Sequence, residues 1–286
     1  MKKDRVVRGT AKQCRFIGCE LTESSKQITT TLELCPIASS ALGRLCIACV
    51  MMADDIKGEK NSSITTKLAG DGELGTLMAV AKAGGDFKAY VQNPQVAIHL
   101  QNPSDSDISK SIGRGELTII KERSNGQPYS SITPIVYGNL AKDLAIYYYQ
   151  SMQIPTIVVI DVLLDSSSQI RKAGGFIVEV LPGADEQRLK ELETKMAQFP
   201  NLTDLMDMGY SIEKILQKFV LDKPNFLKSK SVRFFCDCRA ERFLGGVKLL
   251  GKDEVKEILK ENGFVETICH FCKKTYRFGR EELGDF

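Results

Sequence analysis

Between Cys35 and Asp54, Ala41, Leu42, Leu45, Ala48, Cys49 and Met52 recur at helical spacing. The pattern predicts a buried helix over this stretch, with Pro36 in its first turn. From Ser63 the period changes to two. Ile64, Thr66 and Leu68 alternate with Thr65 and Lys67, and Leu77 to Val80 is a short apolar run. Gly84-Gly85-Asp86 then breaks the pattern before Phe87, Ala89, Tyr90 and Val91, which predicts a hairpin. Residues 116–122, 130–137, 155–164 and 175–181 read as further strands. Residues 143–152, with Tyr147, Tyr148 and Tyr149 in a row, read as a helix. Residues 1–182 are therefore expected to form a mixed α+β domain of sheets and helices.

After Pro182-Gly183 the pattern thins. Asp185 to Gln198 is highly charged, with Leu189, Leu192 and Met196 as a narrow apolar stripe ended by Pro200. Residues 202–208 and 211–221 are short helical candidates, the second with Ile212, Ile215, Leu216 and Phe219 on one face. Residues 183–230 are expected to be a helical linker of marginal stability. The last segment, 231–286, carries two further stripes: Ala240, Phe243, Leu244 and Val247, then Val255, Ile258 and Leu259 before Gly263.

Composition adds one unusual count. The chain of 286 residues has nine cysteines, two histidines and no tryptophan. An odd number cannot pair completely, and a chain this long needs no disulfide framework. Five cysteines (Cys14, Cys19, Cys35, Cys46, Cys49) lie in the first fifty residues and four in the last fifty-one, with none between. A net charge of +3 argues against a nucleic-acid or polybasic membrane partner. The start, Met-Lys-Lys-Asp-Arg-Val-Val-Arg, has no apolar run behind its basic residues, so no secretory signal is expected. Residues 41–53, interrupted by Arg44, are too short to span a bilayer. A cysteine-rich protein of this kind is expected in a reducing cytoplasm, where clustered thiols point to metal or redox chemistry.

The sharpest motif is Cys236-Asp-Cys238 followed, 30 residues on, by Cys269-His-Phe-Cys272. Two close pairs supply four thiolates, the ligand set of a closed tetrahedral zinc site. Zinc would also support a segment too small to fold on its own core. His270 is a further candidate ligand, but four cysteines already fill a tetrahedron, so a surface place is expected for it. His99 is expected to be structural, and two poorly placed histidines give no support to an acid–base pair. Cys46-Ile-Ala-Cys49 has thioredoxin-like spacing inside an apolar stretch, and two buried thiols are the plainer reading. Gly70-Asp-Gly72-Glu-Leu-Gly75 spells a dinucleotide-binding fingerprint, but too short a helical stretch follows before Gly84-Gly85. A strand-to-strand turn is expected there instead.

With these motifs the chain resembles the heat shock protein 33 family, the redox-regulated 33 kDa chaperonins. The resemblance spans nearly the whole sequence. It rests on the four-cysteine pattern, on Ala173-Gly-Gly-Phe-Ile-Val-Glu-Val-Leu-Pro-Gly-Ala184, on Ala38-Ser-Ser-Ala-Leu-Gly-Arg44 and on Ala89-Tyr-Val-Gln-Asn-Pro94. It implies a cytosolic, ATP-independent holdase and no enzyme. Such a holdase is inactive while Cys236, Cys238, Cys269 and Cys272 bind zinc. Hypochlorite or peroxide would then form disulfides Cys236–Cys238 and Cys269–Cys272, release the metal and unfold the linker. Unfolding client proteins would bind the oxidised form, often a homodimer. Cys14, Cys19, Cys35, Cys46, Cys49 and the Gly245-Gly246 pair depart from the family pattern. Two other classes are a zinc-ribbon nucleic-acid binder and a thiol–disulfide oxidoreductase using Cys46 and Cys49. The first is disfavoured by 11 basic against 10 acidic side chains over 231–286.

Overall fold

The computed structural model describes residues 3–56, 60–96, 105–123 and 126–284. The chain divides into two compact units, Met1–Phe234 and Phe235–Phe286. In chain order the first holds β1 (Arg5–Ala11), β2 (Cys14–Glu20), α1 (Thr22–Leu32), α2 (Pro36–Asp55), β3 (Ser63–Gly70), β4 (Thr76–Lys82), β5 (Asp86–Val91), α3 (Asp105–Ile112), β6 (Gly115–Glu122) and β7 (Tyr129–Pro134). It continues with α4 (Leu140–Tyr147), a π turn (Tyr148–Met152), β8 (Thr156–Leu164), β9 (Ile170–Val180), α5 (Glu186–Ala197), α6 (Leu202–Asp207) and α7 (Ile212–Ile215). A second π turn (Leu216–Val220), β10 (Asn225–Ser231) and β11 (Arg233–Phe234) complete it. His99 lies outside the described residues.

The strands form two sheets, in the orders β10-β1-β2-β9-β8 and β11-β5-β4-β3-β6-β7. Helix α2 packs against strands of both sheets, and its core includes Val6, Ile17 and Ile177 from the first and Leu77, Ala79 and Ala89 from the second. At 20 residues α2 is long and apolar enough to cross a membrane, longer than the apolar run in the sequence suggested. Its most apolar window is 89% buried inside the protein, so it is a core helix. Gly175 lets it pack closely: a Cβ there would meet Ile47 Cγ2 of α2 at 2.7 Å. A Cβ at Gly174 would instead meet the Cys19 carbonyl oxygen and Met206 Sδ of α6, each at 2.8 Å. β9 runs from Ile170 through both glycines, although they read as a strand boundary.

The strands β1, β2 and β9 of the five-stranded sheet bury side chains on both faces. Alternate residues divide them: Val6, Ile17 and Ile177 face the α2 core, while Val7, Phe16, Phe176 and Val178 join a second core. Among the described residues, every buried member of that second core from outside the sheet lies between Leu192 and Leu221, including Leu205, Ile212 and Leu216. Gly70 to Gly75 is the turn between antiparallel β3 and β4, with Gly75 at φ +62, as the strand-to-strand reading required. The π turn at 148–152 ends the helix read over 143–152. Strands β1, β2 and β10 and helix α1 have no counterpart in the sequence reading.

Candidate metal centre

The second unit contains α8 (Ala240–Lys248), α9 (Lys252–Asn262), β12 (Val265–Ile268), β13 (Thr275–Phe278) and α10 (Arg280–Leu283). Gly263, at φ +77, stops α9 as its sequence position suggested, with its N–H donating to the Leu259 carbonyl at 3.0 Å. The core is small: Val247, Val255, Leu259, Val265, Tyr276, Phe278 and Leu283 are its buried members among the described residues. Phe243 stacks on Tyr276 with ring centroids 4.7 Å apart.

β12 and β13 pair antiparallel, Val265 opposite Phe278 and Ile268 opposite Thr275. Cys269 and Cys272 lie in the turn that joins them. The Cys269 N–H donates to the Lys274 carbonyl at 2.9 Å and the Lys273 N–H to the Cys269 carbonyl at 2.8 Å, closing the turn with Lys273 at φ +58. Cys236 and Cys238 precede α8 in non-helical chain, where alternate residues can present side chains to one side. All four Sγ atoms fall within 4.8 Å of one another. Cys236 and Cys269 are 3.7 Å apart, and Cys238 and Cys272 are 3.4 Å apart. Sulfurs around one tetrahedral zinc at a bond length near 2.3 Å stand roughly 3.8 Å apart. The donor set and spacing therefore fit a single ion of that kind.

Tyr276, from β13, contributes a feature the sequence reading missed: its hydroxyl donates to Cys238 Sγ at 3.1 Å. Burial pushes the Cys236 and Cys272 thiols up, the latter to about 11. For Cys238 burial acts in the same direction, but hydrogen bonds from Tyr276 and neighbouring thiols outweigh it and lower its value. A bound cation favours the thiolate at all four positions. An aromatic two residues into a strand after a Cys-x-x-Cys turn is the only signal that pointed to Tyr276.

His270 is exposed in the turn and stands outside the four-sulfur cluster. Cys14, Cys19, Cys35, Cys46 and Cys49 are buried in the first unit. Cys49 hydrogen-bonds the Ala79 carbonyl at 3.3 Å, and burial raises its thiol to about 12. Burial also raises Cys46. Burial and raised thiols are the setting of structural cysteines rather than reactive ones.

The Hsp33 protein family model matches residues 4–279. The 33 kDa chaperonin of Alkaliphilus metalliredigens is 36% identical over 284 residues, 98% of this chain and 97% of that protein. That of Bacillus subtilis is 35% identical over 249 residues, 87% of this chain and 85% of its own. The crystal structure of the 33 kDa chaperonin (heat shock protein 33 homologue) from Thermotoga maritima matches with a TM-score of 0.88 at 25% identity. That match covers 99% of this chain and 97% of the other. With its α+β fold and C-terminal cluster of four cysteines, this chain belongs to the Hsp33 family of chaperonins.

Proposed function

We propose that the protein is a redox-regulated, ATP-independent holdase. Its reduced form holds one zinc ion on Cys236, Cys238, Cys269 and Cys272 and is inactive. The observation that carries the reading is that residues 184–221 supply all of the non-sheet side chains in the core on the second face of the five-stranded sheet. If that segment is released, Phe16, Phe176 and Val178 face solvent together with its own Leu192, Ile212 and Leu216. An apolar patch of that kind holds unfolding chains without a catalytic group.

Bound zinc supplies most of the folding free energy of residues 235–286. A structural site contributes about 10–16 kcal/mol, against roughly 3–5 kcal/mol from a core this small. Thiolates held at the site are in the form that oxidants attack. Two thiolates and one peroxide molecule yield one disulfide and two hydroxides, so two peroxides oxidise all four sulfurs. Cys236 pairs with Cys238 and Cys269 with Cys272. The paired sulfurs no longer serve as ligands, and the second unit loses what keeps it folded. Phe234, the end of β11, is one residue from that unit, so its unfolding reaches residues 183–230 through the chain. We read 183–230 as the metastable linker between a 1–182 core and a 231–286 switch, and the oxidised chaperone as a cytoplasmic homodimer. The near-neutral charge of 231–286 supports protein clients bound through apolar surface over nucleic acid.

Light scattering from a heat-unfolded client tests this. Peroxide-oxidised protein should suppress aggregation and reduced, zinc-loaded protein should not. Equal protection in both states, or none in either, would sink the reading.

A further inference from the structure

Residues 225–234 close both sheets at once. β10 lies antiparallel along β1, with Arg5 opposite Ser231 and Thr10 opposite Asn225, and forms one edge of the five-stranded sheet. After a single residue, β11 lies parallel to β5 at the edge of the six-stranded sheet, Phe234 opposite Phe87. The junction is pinned by the Val232 N–H on the Asp4 carbonyl at 3.1 Å and by the Phe234 N–H on the Ser24 hydroxyl at 3.3 Å.

β10 buries little of itself. Every residue but Lys230 is exposed. It is held by its backbone ladder and two side-chain anchors. The Phe226 ring meets Phe16 edge-on at 5.2 Å, and Lys230 Nζ lies 2.6 Å from Asp54 Oδ1 and 2.7 Å from the Ala83 carbonyl. Beneath it, Val6 and Val7 of β1 are fully buried, and the Asp54 carboxylate is only 4% exposed. Gly9 gives the strand room, since a Cβ there would run into the Asn225 carbonyl and the Phe16 ring. The vacated edge would thus offer a row of β1 backbone groups, an aromatic socket at Phe16 and an acidic socket at Asp54.

We propose that β10 is a placeholder for client, and that an extended segment of an unfolding protein adds as a strand to β1 once β10 leaves. This rests on the chaperone reading above and names where the client binds. Main-chain pairing supplies affinity for any sequence, while the two sockets, opposite Gly9 and Val6 of β1, favour an apolar or aromatic residue followed by a lysine or arginine, four positions on where the segment carries a bulge as β10 does. The Phe226-to-Lys230 spacing of β10 itself has that form. An open strand edge is also an aggregation hazard, which gives a reason for keeping it closed in the resting protein.

Hydrogen exchange read by mass spectrometry on the full chain tests this in three states. Amides of residues 5–10 should be protected in the reduced protein and exposed after oxidation. With client bound they should slow again by roughly tenfold or more, while β7, at the far edge of the other sheet, stays unchanged. In reduced Lys230→Ala protein, whose β1 edge is intact, the same amides should exchange faster than in the parent. The proposal is overturned if residues 5–10 stay protected on oxidation. It is equally overturned if client suppresses none of their exchange while aggregation is still prevented, and in that case the chaperone reading survives. Failure to prevent aggregation at all overturns the chaperone reading and this proposal with it.

Discussion

Arg188, wholly buried on α5, donates from Nη2 to the thiol of Cys14 on β2 at 3.5 Å. The contact ties α5 to the five-stranded sheet. Nη1 of the same guanidinium reaches Glu191 at 3.2 Å and Asp222 at 3.7 Å, joining α5 to the chain beyond the second π turn. Nε has no hydrogen-bond partner among the described residues, so little tolerance remains for a further loss. Replacing Cys14 with Ala leaves a second buried donor unsatisfied, at a cost of about 1–3 kcal/mol. Limited proteolysis of reduced, zinc-loaded Cys14→Ala should cut within 183–221 faster than the parent. Equal cutting would contradict the role given to this pair.

Leu216 is fully buried in the core between α5–α7 and the five-stranded sheet. Truncation to Ala should cost about 2–5 kcal/mol there. Because that core is the one the account opens, Leu216→Ala should give partial protection of a heat-unfolded client without oxidant. A stable, inactive reduced variant would count against the linker as the closing element.

Gly245 and Gly246 lie inside α8, and an added Cβ at either meets nothing within 4 Å. Alanine at each position should stabilise the helix by roughly 0.5–1 kcal/mol without a clash. The double variant should need more peroxide for half-maximal activation, read by light scattering. An unchanged dose would mean that the stability of this unit does not set the threshold.

Burial raises the Cys49 thiol from an ordinary value of 9.0 to about 12. The folded protein holds that proton more tightly than the unfolded chain does. The associated stability is therefore complete below pH 9 and is lost as pH rises towards about 12. The urea midpoint should fall across that window. At pH 8, native alkylation should leave Cys46 and Cys49 unmodified even after zinc is chelated. Rapid labelling of either would refute their assignment as core thiols.

Much of this was legible in the sequence, and the reasons differ by element. Helix α2 and strands β3 to β6 follow apolar periodicities that burial on one or both sides enforces. The four cysteines stand out because two close pairs are the spacing of a four-thiolate metal site. β1, β2 and β10 were not legible. Arg5, Arg8 and Arg15 punctuate the first two, and β10 is an exposed strand, Asn-Phe-Leu-Lys-Ser-Lys-Ser, with no alternating apolar pattern, whose pairing is set by its neighbours. Arg188 reads as one charge among many on α5. Only the fold shows that it is buried on Cys14, a contact across 174 residues of sequence.

A peroxide titration of the zinc-loaded protein, with zinc release, thiol identity by alkylation mapping and client protection followed on the same samples, decides whether the four-cysteine cluster is the switch. One zinc should be released per chain as Cys236, Cys238, Cys269 and Cys272 become oxidised. Protection should rise in step, with Cys14, Cys19, Cys35, Cys46 and Cys49 still reduced. Protection that appears while zinc is retained, or oxidation of the five N-terminal thiols first, would contradict that role.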